Sequence, residues 1–140
     1  MITVDVTAAE GLRTLPKAEF RKVVQHVCRR HKVTAAEFSF VIVDDRTIRS
    51  INKKFLKHDV VTDIITFPLE NDRIAAEIYI CAPQMRRQAK EQQVTVTNEM
   101  TRLIVHGILH TLGYDDTTSA KKKEMDAIQE RYVAQLSLKK

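Results

Sequence analysis

The chemistry of this chain is concentrated in the stretch HGILHTLGYDD, residues 106–116. His106 and His110 are four positions apart, so on a helix they project from one side, a turn from each other. Two imidazole nitrogens can then reach a single metal ion. Gly113 stands where a helix commonly stops, and a chain reversing through Tyr114 and Asp115 can return Asp116 toward the pair as a third ligand. Two histidines and a carboxylate, with positions left for water, form a catalytic arrangement, whereas a closed structural zinc site uses four protein ligands. The donor set suits zinc, and also iron, nickel or manganese. An isolated His-x-x-x-His pair is common on helix surfaces. The glycine stop and the carboxylate beyond it are what favour the metal.

Gly107 inside the helix costs about 1 kcal/mol relative to alanine, and either a close ligand or a tightly packed neighbour accounts for it. The spacing also matches metzincin-type proteases, but those place a glutamate base directly after the first histidine. Gly107 holds that position, so the metal frame is present without the protease base. Asp115 adjoins the ligand set and either takes part in catalysis or shapes the turn. Glu99 shares the face of His106 but lies about 10 Å back along the axis, too far to ligate and well placed for the helix dipole.

These residues need a scaffold, and the hydrophobic pattern supplies one. Ile2–Val6 alternates as a strand, and residues 16–32 read as an amphipathic helix with Phe20, Val23, Val24, Val27 and Cys28 inward. His31 falls on the apolar side of that helix and His26 on the exposed side. FSFVIV (38–43) is a strand, and Asp44-Asp45 can cap a helix carrying Ile48, Ile51 and Phe55. TDIITFP (62–68) and EIYIC (77–81) are further strands, and a polar helix runs from Pro83 to about Glu91. A VTVT segment leads to the histidine helix, near 98–112, and a last helix starts at 117–119 with Met125, Ile128, Tyr132 and Leu136 buried. The class is α+β: a single domain over 1–140, with a mixed sheet of about four strands covered by helices and the metal site on a C-terminal helix and its following turn.

A chain of 140 residues with 44% hydrophobic and 29% charged residues is globular rather than disordered. No apolar run reaches the roughly 18 residues of a membrane span, and the N-terminus has no secretory pattern. Cys28 and Cys81 are expected as small core residues without a disulfide partner, consistent with the cytoplasm. The net charge of +5 is uneven: Arg13–Lys32 holds seven basic residues and one acid, leaving sixteen basic and seventeen acidic residues elsewhere. A local positive face attracts polyanions. Arg21, Lys22, Arg29 and Arg30 are therefore the first candidates for phosphate contact, with Arg86, Arg87 and Lys90 second; Lys121–Lys123 read as a solvated helix start. With 6% aromatics and no Trp, an extended base-stacking platform is not expected. Asn52 and Thr62 either line the cleft or serve local turns.

Three motifs together resemble the YbeY family of bacterial rRNA-maturation endoribonucleases. HGILHTLGYDD is similar to the family's H-G-x-L-H-L-x-G-Y-D-H. INKKFLKHDVVTDIITFP (51–68) resembles its L-N-x-x-(Y/F)-R-x-x-D-x-x-T-(D/N)-V-L-S-F-P, and AEIYIC (76–81) its G-D-I-x-I-(S/C). The resemblance implies a cytoplasmic hydrolase dependent on one divalent metal per chain, most often Zn2+. It implies single-strand-specific RNA cleavage in 16S rRNA 3′-end maturation, with rRNA and the small ribosomal subunit as partners. Carried over by position, His106, His110 and Asp116 are the metal ligands and act in catalysis through the water the metal holds. Two departures stand out. The third ligand is Asp116 where the family usually has histidine, and Leu56 occupies the place of a family arginine. Lys57, Lys54 or His58 are the candidates to restore that charge. An RNA-binding ribosome-assembly factor with a structural metal and little nuclease activity is the alternative these departures leave open.

Overall fold

A computed structural model describes residues 1–69 and 72–137. Among these residues four strands and five helices follow in the order β1 (Ile2–Ala8), α1 (Lys17–Arg30), β2 (Ala36–Val43), α2 (Asp45–Leu56), β3 (Ile64–Pro68), β4 (Ala75–Cys81), α3 (Ala82–Glu91), α4 (Val96–Thr111) and α5 (Ser119–Ser137). The strands form one sheet in the order β1-β2-β4-β3. β1 and β4 run parallel to β2, while β3 pairs antiparallel with β4, setting Ile64 opposite Ile80 and Pro68 opposite Ala76. The expected α+β class and four-stranded mixed sheet are thus present. β3 is an edge strand, where a proline costs no ladder bond.

The helices divide between the two faces. α1 and α4 cover one face, with α3 and α5 packed against α4, over a core that includes Phe20, Phe40, Ile78, Ile104, Ile108, Met125 and Leu136. α2 covers the other, over Val43, Ile48, Ile65 and Cys81. α4 lies at the centre, with Met100, Leu103, Ile104, Val105, Ile108 and Leu109 all buried. Each such side chain contributes about 1.5–3 kcal/mol on burial, so the apolar side of α4 holds it in place while its other side carries the histidines.

Local signals explain most element ends. The Asp44 carboxylate accepts from the Thr47 amide at 3.0 Å and caps α2. Thr95 does the same for α4, accepting from the Asn98 amide at 3.0 Å. The β-branched VTVT segment therefore opens α4, two residues earlier than expected, because capping outweighs strand propensity. At the other end Gly113 has φ +106°, with its amide on the His110 carbonyl and the Tyr114 amide on the Leu109 carbonyl. These two bonds are the Schellman pattern, and they turn the chain toward Asp116.

One expectation is corrected. His26 is 4% exposed, not solvated, because α5 docks over it and Gln135 Oε1 lies 2.8 Å from its Nε2. α2 carries Ile48, Ile51 and Phe55 as expected and ends at Leu56; Phe55 is 57% exposed, its ring edge-on against Phe67 at the sheet's margin. Ile128 is half-buried, while Met125, Tyr132 and Leu136 are buried as expected. Cys28 and Cys81 are free and buried, and burial pushes both thiols up to about 11.

Candidate functional site

The two histidines stand where the sequence spacing places them. His106 and His110 are half-buried on α4 with ring centroids 4.8 Å apart. Gly107, between them, packs against the sheet; a Cβ there would meet Ile78 Cδ1 at 3.0 Å and Ile64 Cδ1 at 3.3 Å. The glycine thus lets α4 approach β3 and β4, which answers the choice between a ligand and a close neighbour in favour of the neighbour. The pair opens into a cavity of about 600 Å³ that Thr62, Asp63, Gln88, Glu99, Asp116 and Gln129 also line. A smaller recess of about 260 Å³ joins the same two rings to Leu56, Thr66 and Pro68.

Behind His106 lies a chain of polar contacts. Its Nδ1 is 2.8 Å from Gln129 Oε1, and Gln129 Nε2 donates to Glu130 Oε2 at 3.3 Å. Glu130 accepts two bonds from Arg102, at 2.8 and 2.9 Å. Arg102 also donates to Glu99 Oε1 at 2.8 Å, and Gln88 Nε2 donates to Glu99 Oε2 at 2.8 Å. The amide of Gln129 is therefore oriented by Glu130, with its oxygen toward His106. That oxygen fixes the proton on Nδ1 and leaves the Nε2 lone pair for a ligand.

The donor chemistry fits a divalent cation. Burial, and then the neighbouring His106, hold His110 below the ordinary imidazole range, with Asp116 and Asp115 opposing the shift. A neutral imidazole at neutral pH is the form that binds metal. Among the described residues no three His, Cys, Asp or Glu side chains are drawn together closely enough to enclose an ion. The structure accordingly shows a histidine pair with the exposed Asp116 on the wall of the same cavity.

The other sequence candidates fall in different places. Asp115 Oδ1 accepts from the amide and hydroxyl of Thr117 at 3.1 and 2.8 Å, which makes it a turn-shaping residue. Thr62 lines the large cavity, whereas Asn52 is buried and donates to the Val60 carbonyl at 3.1 Å. Lys57 is exposed at the end of α2 in the left-handed conformation (φ 62°), and Lys54 and His58 are exposed beside it. None of the three lines either histidine cavity. Arg86 is exposed, but Arg87 is held by Asp45 at 2.7 and 3.1 Å. Arg21, Lys22, Arg29 and Arg30 all belong to α1, which supplies no residue to either cavity.

Sequence reasoning missed the Gln129–Glu130–Arg102 support. It also read Glu99 as a first-turn acid alone, whereas Glu99 is 1% exposed. One signal was available: Gln129 lies four after Met125 and three before Tyr132, a polar residue on the buried stripe of α5.

Comparison with known proteins places this architecture. The family model described as Endoribonuclease YbeY matches residues 6–137. The chain belongs to the endoribonuclease YbeY family. The YbeY protein of Chloroherpeton thalassium is 39% identical over 123 residues, 87% of each chain. That of Porphyromonas gingivalis W83 is 34% identical over 132 residues, 91% of this chain and 87% of the other. The solution structure of TM1509 from Thermotoga maritima superposes with a TM-score of 0.66 at 27% identity, covering 95% of this chain and 87% of that one. Two of the YbeY motifs supply cavity walls, His106, His110 and Asp116 from one and Leu56, Thr62 and Pro68 from another, while the third supplies Ile78, buried beneath Gly107.

Proposed function

We propose that this protein is a metal-dependent endoribonuclease that hydrolyses single-stranded RNA and matures the 3′ end of 16S rRNA on the small ribosomal subunit, in the cytoplasm. The observation that carries the reading is the half-buried histidine pair, 4.8 Å apart, facing a 600 Å³ cavity it shares with Asp116. His106, His110 and Asp116 would hold one divalent cation, zinc first among those the donors suit. Such a cation supplies water activation and charge neutralisation on a phosphate oxygen. Gln129 keeps His106 presenting Nε2, and the Gly113 turn leads the chain to Asp116 on the wall of the same cavity. Leu56, Ile64 and Pro68 form an apolar wall across from the histidines, which limits water around an extended strand. No helix among the described residues is long and apolar enough to cross a membrane.

The assembly-factor reading draws on one observation. Leu56 lies in the recess beside the histidines, and among the described residues no Lys or Arg lines it in place of the family arginine. Purified protein with added zinc and a single-stranded RNA separates the two. Cleavage is expected, and both His110→Ala and a chelator should abolish it. Metal analysis should find one equivalent in the parent and a deficit in the variant. Metal bound without cleavage would favour the assembly factor, and cleavage surviving both controls would overturn the nuclease assignment.

A further inference from the structure

The cleavage cavity is poorly equipped to gather RNA. Among the described residues, its walls carry the carboxylates of Asp63, Glu91, Glu99, Asp116 and Asp126, against Arg102 as the one Lys or Arg. Arg102 is already neutralised by Glu99 and Glu130. Among the described residues, no Lys or Arg lines the recess on the other side of the histidines. Side-chain cations for the rest of the phosphate backbone have to come from elsewhere on the molecule.

α1 supplies it on the opposite flank. It packs on β1 and α4, and β1 is the sheet edge farthest from β3, about 14 Å across at ordinary strand spacing. Arg21, Gln25, Arg29 and Lys32 follow one another at intervals of four, four and three, and all are exposed. Among the described residues Arg21, Arg29 and Lys32 have no acidic partner. The stripe spans about 16 Å along the axis. Its last three members, with Ile2, Val33 and Thr34, rim a surface hollow of about 500 Å³.

Lys32 adds an independent observation. The amide of Val33 bonds the Cys28 carbonyl at 2.8 Å and that of Lys32 bonds the Arg29 carbonyl at 3.2 Å, the same helix stop that Gly113 makes for α4. Lys32 therefore occupies a glycine position with φ 56°. A lysine held in that conformation is costly, and its cation extends the stripe.

We infer that the α1 stripe is a docking surface for the phosphate backbone of double-stranded RNA, separate from the cavity that cuts. A rigid row of cations with no aromatic side chain suits a regular backbone and gives single-stranded bases nothing to stack on. The paired part of a folded substrate rests on α1 while its single-stranded part reaches the histidines. This rests on the RNA reading above.

The test uses fluorescence anisotropy of the full chain with a blunt RNA duplex of about 16 base pairs, a span that double-stranded RNA domains cover. Arg21→Glu/Arg29→Glu should weaken binding at least tenfold and lower the log–log salt slope by about two. Lys32→Gly should weaken binding while leaving thermal stability no lower than the parent's, because it relieves the backbone. His110→Ala should bind the duplex as the parent does while losing cleavage, so the docking surface and the nuclease reading fail separately. Charge-reversal variants that bind the duplex like the parent overturn the proposal. So does equal loss on a single-stranded RNA, or tighter binding of poly-glutamate than of the duplex, which would point to an acidic protein partner.

Discussion

Nδ1 of His106 lies 2.8 Å from Oε1 of Gln129, 23 positions away on the neighbouring helix. A neutral imidazole has two tautomers, and this contact selects the one with the proton on Nδ1 and a free lone pair on Nε2. Groups that orient a metal-binding histidine in this way are commonly worth 10–100-fold in metal affinity. Gln129→Leu, close in volume but unable to accept a bond, should weaken zinc binding by about that factor in competition with a chromogenic chelator. In the metal-free protein, long-range proton–nitrogen spectra should show His106 shifting from one dominant tautomer to a mixture. An unchanged tautomer would end the argument.

The Glu99–Arg102 pair should matter more to the fold than to the site. The Glu99 side chain is 2% exposed and that of Arg102 17%, so removing the cation strands a carboxylate in the interior. Breaking a buried pair this way costs roughly 3 kcal/mol, more than a surface pair contributes. Arg102→Met should lower the urea midpoint by a corresponding amount, and adding Glu99→Gln should recover part of it. Equal instability of the single and double variants would show that the buried charge is not the cause.

The histidine pair and the turn beyond it were legible because their geometry is local: a spacing of four and a glycine stop fix them whatever surrounds the helix. The strands were legible for the same reason, with one end of each moved by two residues where caps and pairing decide. His26 was misread because one helix's periodicity does not show which neighbour covers its flank; Gln135 on α5 does. Gln129, Glu130 and Arg102 were invisible as a unit because they meet only when α4 and α5 pack. The acidity of the cavity is a property of five segments and of no single one.

Stability should fall as the solution is acidified through the histidine range. His31 is half-buried, with Nε2 2.9 Å from the Tyr132 hydroxyl and its ring 5.8 Å from that of Tyr114. Burial lowers its pKa in the folded state. The unfolded chain therefore takes up the proton first as the pH falls. The contribution is complete above about pH 6.5 and is lost on descending from there toward the folded value. His110 shifts in the same direction, so a single variant isolates His31. Between about pH 7.5 and 5.5, His31→Gln should lose less in Tm than the parent. Parallel losses would remove His31 from the account.

Gly107 offers the sharpest test of how the sheet positions the histidines. Alanine is the better helix former by about 1 kcal/mol, yet its Cβ would lie 3.0 Å from Ile78 Cδ1 and 3.3 Å from Ile64 Cδ1. Overpacking of this kind costs about 1–3 kcal/mol, so Gly107→Ala should be destabilised on balance, by roughly 1 kcal/mol. Ile78→Val removes the nearest atom and alone costs about 0.5–1.5 kcal/mol. If the contact governs, the double variant is more stable than the two losses predict, by about 0.5 kcal/mol or more in a double-mutant cycle. RNA cleavage should follow the same order, since moving α4 off β3 moves both imidazoles relative to the strand that borders them. Simple additivity in unfolding would show that the glycine is not there to bring helix and strand together, and its place between the histidines would need another cause.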